Sequence, residues 1–407
     1  MNGENVGRLP RSYPQNKERQ QQNRKPKAKK TRKKFKAFSI RSGLDMPFFF
    51  LVLTLLVIGL VMLFSASYPY AYYNMNGNSY YFIKNQIVFA IMGFVAMIAL
   101  SYLDYHHLHK FAFPSLAVSF ALLVLVLFMP VVNGVHRWIQ LGSFSFQASE
   151  ITKFAIVLSF AHIISINFRK MSTFKYGILP FAIILLPTVV LLALEPHISC
   201  TVIVVLLSAL MLFIGGVQLK WFGMVLGAIS AGLIYLVVFT DKLTYANDRI
   251  SGWLDPFSST SGADTWQTKQ GLYAIGSGGL LGVGLGNSRQ KYLYIPEPQN
   301  DFIFSVVCEE LGFIGALIIL ILFAMLIWRG IVLSMRAKDK FGMLLGIGLT
   351  VQVGLQVVLN IAVVTNTIPN TGISLPFFSY GGSSLMMLLA QMGIILSISR
   401  TSNIEKT

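Results

Sequence analysis

The segment Asn300-Asp301-Phe302-Ile303-Phe304 sets a carboxylate at the mouth of a long apolar run, and Glu309 and Glu310 lie inside that run. On a helix the positions i+4, i+7 and i+8 share a face with i, so Ser305, Cys308 and Glu309 fall under Asp301. Ionisable groups at the edge of a bilayer are costly, and by default they mark a functional site. An acid there is a candidate general base or cation ligand. The plain alternative is a helix-start acid favoured by the dipole.

Four other constellations carry polar chemistry. Gly276-Ser277-Gly278-Gly279-Leu280-Leu281-Gly282-Val283-Gly284-Leu285-Gly286-Asn287 is rich enough in glycine to cradle a phosphate through backbone N–H groups. It has no βαβ context, so a tight turn that re-enters the membrane and packs closely is favoured. Arg289 and Lys291 flank it and could face an anionic headgroup. Glu150 and Lys153 are three apart and pair on one helix face. Arg137, on the preceding connection, offers a guanidinium fork that matches diphosphate oxygens. Glu195-Pro196-His197 is either a cavity-lining helix break or a tight turn, with the turn slightly favoured. Residues 366–384, with Ser379 and Ser383 among glycines and Pro376, read as a re-entrant loop facing the same cavity. No Walker motif, zinc-ligand spacing or nucleophile elbow occurs. Cys200 and Cys308 lie in apolar segments and predict neither a disulfide nor a metal site.

The elements that must hold these residues are set by composition. The 407 residues are 54% hydrophobic and only 12% charged, with a mean hydropathy of +0.64. A soluble chain carries roughly 25% charged residues. The deficit predicts an all-α polytopic membrane protein. By the rule of roughly 20 apolar residues per span, about ten spans are predicted, at 47–66, 82–103, 111–132, 151–166, 176–194, 198–215, 221–239, 303–328, 341–364 and 385–399.

The net charge of +17 is concentrated in a basic tail, residues 1–45, which precedes a transmembrane domain over 46–400 and a short tail over 401–407. The basic tail reads as a disordered cytoplasmic anchor near anionic lipid rather than a nucleic-acid arm. It is too long and too charged for a cleavable signal peptide. The positive-inside bias then places both termini in the cytoplasm and the long polar segment, 242–302, outside the cell between the seventh and eighth helices. Residues 67–81, full of Tyr and Asn, read as an interfacial aromatic belt.

Five stretches carry a resemblance. They are His136-Arg137-Trp138-Ile139 with Gln147-Ala148-Ser149-Glu150 and Lys153; Gln270-Gly271-Leu272-Tyr273-Ala274-Ile275-Gly276-Ser277-Gly278-Gly279; Gly282-Val283-Gly284-Leu285-Gly286-Asn287-Ser288-Arg289-Gln290-Lys291; Pro296-Glu297 with Asp301-Phe302-Ile303-Phe304 and Glu309-Glu310-Leu311-Gly312; and Leu375-Pro376-Phe377-Phe378-Ser379-Tyr380-Gly381-Gly382-Ser383-Ser384. The chain resembles the SEDS family (shape, elongation, division and sporulation proteins), and the Asn287-Ser288 and Gln290-Lys291 piece tilts it to the FtsW-type division branch rather than RodA. Two departures stand out: Glu195-Pro196-His197 where the family often has Gln-Pro-Asp, and Ala148 where it often has proline.

The resemblance implies a peptidoglycan glycosyltransferase that polymerises lipid II, a disaccharide-pentapeptide on undecaprenyl diphosphate, with Asp301 as catalytic general base. The leaving diphosphate then calls for cationic groups, with Arg137, Arg249 and Lys291 as candidates, or a divalent cation such as Mg or Mn, for which Asp301 is a possible ligand. Glu150, Lys153, Gln270, Asn287, Ser379 and Ser383 complete the substrate-binding candidates. The implied partners are a class B penicillin-binding protein (a transpeptidase), other divisome proteins and membrane lipid, with no nucleic acid. The implied location is the bacterial plasma membrane at the septum. A lipid II flippase and a non-catalytic divisome scaffold are the alternative readings.

Overall fold

Inside a bilayer no water can satisfy backbone N–H and C=O groups, so each apolar run must close its hydrogen bonds within itself as a helix. The computed structural model describes residues 43–130, 137–141, 144–195, 197–224, 253–257 and 263–401. Besides the one-turn helix Phe174–Gly177, the principal α-helices along them are α1 (Met46–Asn74), α2 (Tyr81–Tyr102), α3 (Leu108–Val126), α4 (Ala148–Asn167), α5 (Leu179–Leu194), α6 (Ile198–Ile214), α7 (Ala263–Ser277), α8 (Ile303–Met335), α9 (Lys340–Val364) and α10 (Gly382–Thr401). All but α6 and α7 belong to the 8 helical stretches long and apolar enough to cross a membrane, and α6 is a shorter apolar helix. The protein is an all-α polytopic membrane protein. The predicted span 221–239 begins as a helix through 224, and its remainder lies outside the described residues.

Two elements were not anticipated. α7 is a helix within the long polar segment, where the sequence reading has only loop. A two-stranded antiparallel hairpin, β1 (Trp138–Leu141) and β2 (Phe144–Gln147), pairs Trp138 with Gln147 and precedes α4. Its signal is visible in the alternation on either side of Gly142-Ser143.

α4, α9 and α10 are the most buried spans, and α2, α3, α5 and α8 turn more of their surface outward. α2 and α10 approach closely at Gly93, where a side-chain carbon would lie 2.8 Å from Leu389 Cδ1. Small residues at such crossings let backbones pack without a clash. The connections alternate between two ends of the bundle. One end carries Lys110, Arg169, Lys170, Lys175, Lys220, Arg336, Lys338 and Lys340. There Asp45 caps α1 by accepting from Phe48 N at 3.0 Å and pairs with Arg329 at 2.5 Å, tying α1 to α8. The other end carries Asp301, the hairpin, the α5–α6 turn and the loop between α9 and α10.

Candidate active site

Asp301 stands in a turn directly before Phe302, the residue that caps α8. The turn is fixed from several sides. α7 packs on it at Gly271, where a side-chain carbon would come within 2.7 Å of Phe302 Cδ1 and 3.0 Å of Ser305 Oγ. Three successive carbonyls are then held from the α9–α10 side. Tyr380 N donates to Gln299 O at 2.8 Å, Ser379 Oγ to Asn300 O at 2.7 Å, and Asn360 Nδ2 to Asp301 O at 2.7 Å. Asn360 Nδ2 also donates to Ile373 O at 2.6 Å, and Ser379 Oγ accepts from Leu375 N at 2.8 Å. The backbone beneath Asp301 is therefore rigid, while the residue itself stays partly exposed.

A side-chain carbon on Gly372, whose φ is +72°, would lie 3.7 Å from both Asp301 Oδ2 and Ser199 Oγ. Gly372 thus keeps a small space open between the carboxylate and the start of α6. Burial pushes the Asp301 carboxyl up to about 6; the nearby Glu297 charge adds to this, and local backbone N–H groups and the Gln267 amide pull it back. Glu297 itself accepts from Asn300 Nδ2 at 2.6 Å.

A second polar cluster lies beside the first. Lys153 Nζ pairs with Glu150 Oε1 at 2.8 Å in the opening turns of α4, as the three-residue spacing predicts, and both side chains are buried. Glu195 and His197, on either side of Pro196, are buried in the tight turn between α5 and α6. Burial pushes the Glu195 carboxyl up to about 7, against the pull of the half-buried Arg137 guanidinium. Burial also drives His197 down to about 3, helped by the positive charges of Arg137 and Lys153. Gln147 links the hairpin to this turn, with Nε2 3.5 Å from His197 Nε2, and its backbone N–H donates to Ser383 Oγ at 3.4 Å. Ser199 Oγ donates to Thr371 O, so the first turn of α6 joins this cluster to the Gly372 strap over Asp301.

The third group corrects an expectation. Lys291 does not face a headgroup. It is 2% exposed, and its ammonium donates to Glu310 Oε1 at 2.7 Å, Gly286 O at 2.8 Å and Ser65 Oγ at 3.1 Å. Glu310 is buried inside the bundle, and an unpaired charge there would be costly, so it takes the cation. Glu309 accepts from Ser288 Oγ at 2.5 Å, Arg289 N at 2.9 Å and Gln290 N at 3.4 Å.

The glycine-rich segment is a close-packed re-entrant turn. At Gly312, with φ +68° and ψ −173°, α8 breaks. The segment supplies the hydrogen bonds lost across the break: Val283 N to Glu309 O, 2.9 Å, Gly284 N to Glu310 O, 3.0 Å, Phe313 N to Gly279 O, 2.9 Å, and Ile314 N to Leu280 O, 3.1 Å. A side-chain carbon at Gly282 or Gly312 would collide with the facing backbone. The Val283 and Gly284 N–H groups are thereby committed to α8 rather than to a phosphate. Asn287 is used within the same turn, donating to Val283 O at 3.3 Å. Gln270 is buried in α7, one turn beyond Gln267. Arg249 lies outside the described residues.

The family of cell cycle proteins that comprises FtsW, RodA and SpoVE matches residues 46–404. The chain belongs to the FtsW/RodA/SpoVE family. It is 39% identical over 362 residues to stage V sporulation protein E of Bacillus subtilis, covering 88% of this chain and 97% of that protein. It is 37% identical over 358 residues to a probable peptidoglycan glycosyltransferase FtsW of Trichlorobacter lovleyi, covering 87% and 93%. Its fold is similar to RodA of Thermus thermophilus, with a TM-score of 0.64 at 26% identity, over 89% of this chain and 99% of that one. It is also similar to a chain of a peptidoglycan synthase complex that coordinates polymerization and crosslinking, with a TM-score of 0.73 at 28% identity over 88% and 98%.

Within this FtsW/RodA/SpoVE chain, the structure gathers Asp301, Ser379 and Glu297 at one point and places Arg137, Glu150, Lys153 and Ser383 in the adjoining cluster. Lys291 and Asn287 belong to the helix-break latch instead. Sequence reasoning missed Asn360, Gln267 and Ser199. Asn360 had a usable signal, because an amide inside an apolar span needs a partner. Gln267 and Ser199 had none, because polar residues at helix starts are common.

Proposed function

We propose that this protein is a peptidoglycan glycosyltransferase that polymerises lipid II, with Asp301 as its general base. The observation that supports this reading is a half-buried aspartate whose main chain is pinned by its neighbours, at the end of the bundle opposite the basic connections. The positive-inside bias makes that end extracytoplasmic, where a lipid-linked disaccharide is presented. The acceptor sugar hydroxyl gives its proton to the Asp301 carboxylate as its oxygen bonds to the anomeric carbon of the donor. The bond from that carbon to the diphosphate oxygen breaks, and undecaprenyl diphosphate leaves with the electron pair. Arg137, half-buried beside the site, supplies positive charge toward the departing diphosphate.

A divalent cation fits this chemistry only as a shared site. Among the described residues no group of three or more His, Cys, Asp or Glu is placed to hold a metal. Asp301 and Glu297 would hold such an ion with waters and substrate phosphate, as Mg requires. The partner is a class B penicillin-binding protein that crosslinks the new strand, and the site of work is the division septum; the similarity to FtsW and to a peptidoglycan synthase complex supports both.

The test uses purified protein with lipid II in detergent, with and without chelator. Wild type makes glycan polymer and Asp301→Asn makes none while remaining folded. Polymer formed by Asp301→Asn at the wild-type rate refutes the reading. Lipid II movement across vesicles without polymer would point to a flippase instead.

A further inference from the structure

We propose that one basic corner of the bundle, where the connection from α4 to α5 meets the turn after α6, binds an anionic phospholipid of the cytoplasmic leaflet, with Lys170, Lys175 and Lys220 taking its phosphate.

The corner is set apart by its charge. The sequence holds no Asp or Glu over 151–194 or over 196–240, yet Arg169, Lys170, Lys175 and Lys220 fall there at the basic end. All four are exposed. Among the described residues none of them lies within ion-pair distance of a carboxylate. Cations elsewhere are neutralised: Arg329 pairs with Asp45 at 2.5 Å and Lys291 with Glu310 at 2.7 Å. The positive-inside bias puts the corner beside the inner leaflet, whose negative surface attracts clustered lysines.

The corner is also a built surface. Phe168–Lys170 forms a 3-10 turn and Phe174–Gly177 a single helical turn, with Met171 buried between them. A side-chain carbon at Gly177 would collide with Met171 O and lie 3.4 Å from Val217 Cγ2, so the connection packs on the turn after α6. Trp221 closes the join: its Nε1 donates to Ser172 O at 3.3 Å, and its ring centre lies 5.1 Å from that of Phe174. The lysines stand against these rings. Lys170 and Lys175 Nζ lie 5.1 Å and 5.9 Å from the centre of Tyr176, and Lys220 Nζ lies 5.1 Å from that of Trp221. From α9, Lys340 Nζ lies 3.0 Å from the centre of Phe168. A ring face attracts an ammonium through its quadrupole, and an ammonium carries three N–H donors, so donors remain for phosphate oxygens.

The apolar neighbours favour a lipid over a soluble anion. Phe174, Leu219 and Met224, which adjoin Lys175, Lys220 and Trp221 in the chain, are exposed. Rings at a helix end belong at the headgroup boundary, where acyl chains cover apolar groups and lysine stems reach outward to the phosphate. A free phosphate would leave that apolar surface uncovered.

The experiment titrates the full chain in detergent with cardiolipin, with phosphatidylcholine and with inorganic phosphate, and counts retained lipid by native mass spectrometry. The basic tail is common to every variant. The comparison is therefore between Lys170→Gln/Lys175→Gln/Lys220→Gln and the control Arg336→Gln/Lys338→Gln, whose charges lie elsewhere at the same end. Wild type retains cardiolipin in preference to phosphatidylcholine. The triple variant binds cardiolipin about a hundredfold more weakly, roughly fivefold for each lysine removed, and loses more than the control does. Replacing the same three lysines by arginine keeps the binding. Undiminished binding by the triple variant overturns the proposal, as does an equal loss in the control or equal retention of phosphatidylcholine. Displacement of cardiolipin by millimolar inorganic phosphate overturns it too, because the corner would then be a site for soluble anions. If the triple variant does not fold, Lys220→Gln alone decides, with an expected loss of about fivefold.

Discussion

Asp301 and the pair Glu309–Glu310 lie within three helical turns of one another, yet their surroundings are opposite. Glu309 and Glu310 are each about 1% exposed, and their carboxylates are covered by a hydroxyl, backbone N–H groups or the Lys291 ammonium. Asp301 is a half-buried residue with its main chain held and its carboxylate next to a glycine that leaves room. A carboxylate with its acceptor sites filled cannot take a proton from a substrate; it fastens a loop. A carboxylate on a fixed backbone with a raised proton affinity can. The difference separates two acids whose carboxylates are covered from one that borders an open space at the same helix entrance.

The largest effect should come from exchanging the roles. Asp301→Asn is expected to lower polymerisation by about 10²–10⁴-fold, the range for loss of a general base. Glu309→Gln should leave residual turnover in correctly folded molecules; equal and complete losses, with both proteins folded, would erase the distinction.

Next comes stability. Lys291→Met leaves Glu310 buried without its cation and should cost about 3–5 kcal/mol, read by thermal unfolding in detergent. Lys291→Met combined with Glu310→Gln should recover much of that loss, and no recovery would show that the pair is not the fastening element.

A smaller loss, about 1–3 kcal/mol from backbone strain before any clash, is expected for Gly312→Ala, since its φ and ψ suit only glycine. Unchanged unfolding would mean that the helix break is not fixed by that residue.

The smallest effect has a definite sign. The Asp301 carboxyl sits at about 6, above its ordinary value near 4, so the folded state binds the proton more tightly than the unfolded chain. Ionising it therefore costs stability above about pH 6 and nothing below about 4. Asp301→Asn should melt at the same temperature as wild type near pH 4 and slightly higher at pH 8, while wild-type activity rises through about pH 6. A variant less stable at pH 8 would show Asp301 to be a structural anchor like its neighbours.

Much of this was legible in the residues themselves. Apolar runs fixed the spans, because helix formation in a bilayer is a local requirement. The spacing of Glu150 and Lys153 fixed their pairing for the same reason. Lys291 misled because its chemistry suits a phosphate as well as a carboxylate, and only folding brought Glu310 and Ser65 to it from distant parts of the chain. The α7 helix was obscured by its polar composition, which carries no lipid-facing pattern.

By itself, then, the chain of 407 residues determined a bundle of membrane helices, its charge asymmetry and its family pattern. Tertiary structure alone decided which acids are fastened by partners from elsewhere in the chain, and that Asn360 and Gly372 meet at Asp301. The reason is physical: spans follow from interactions a few residues apart, whereas the covering of a carboxylate depends on groups from helices that meet only after the bundle has packed.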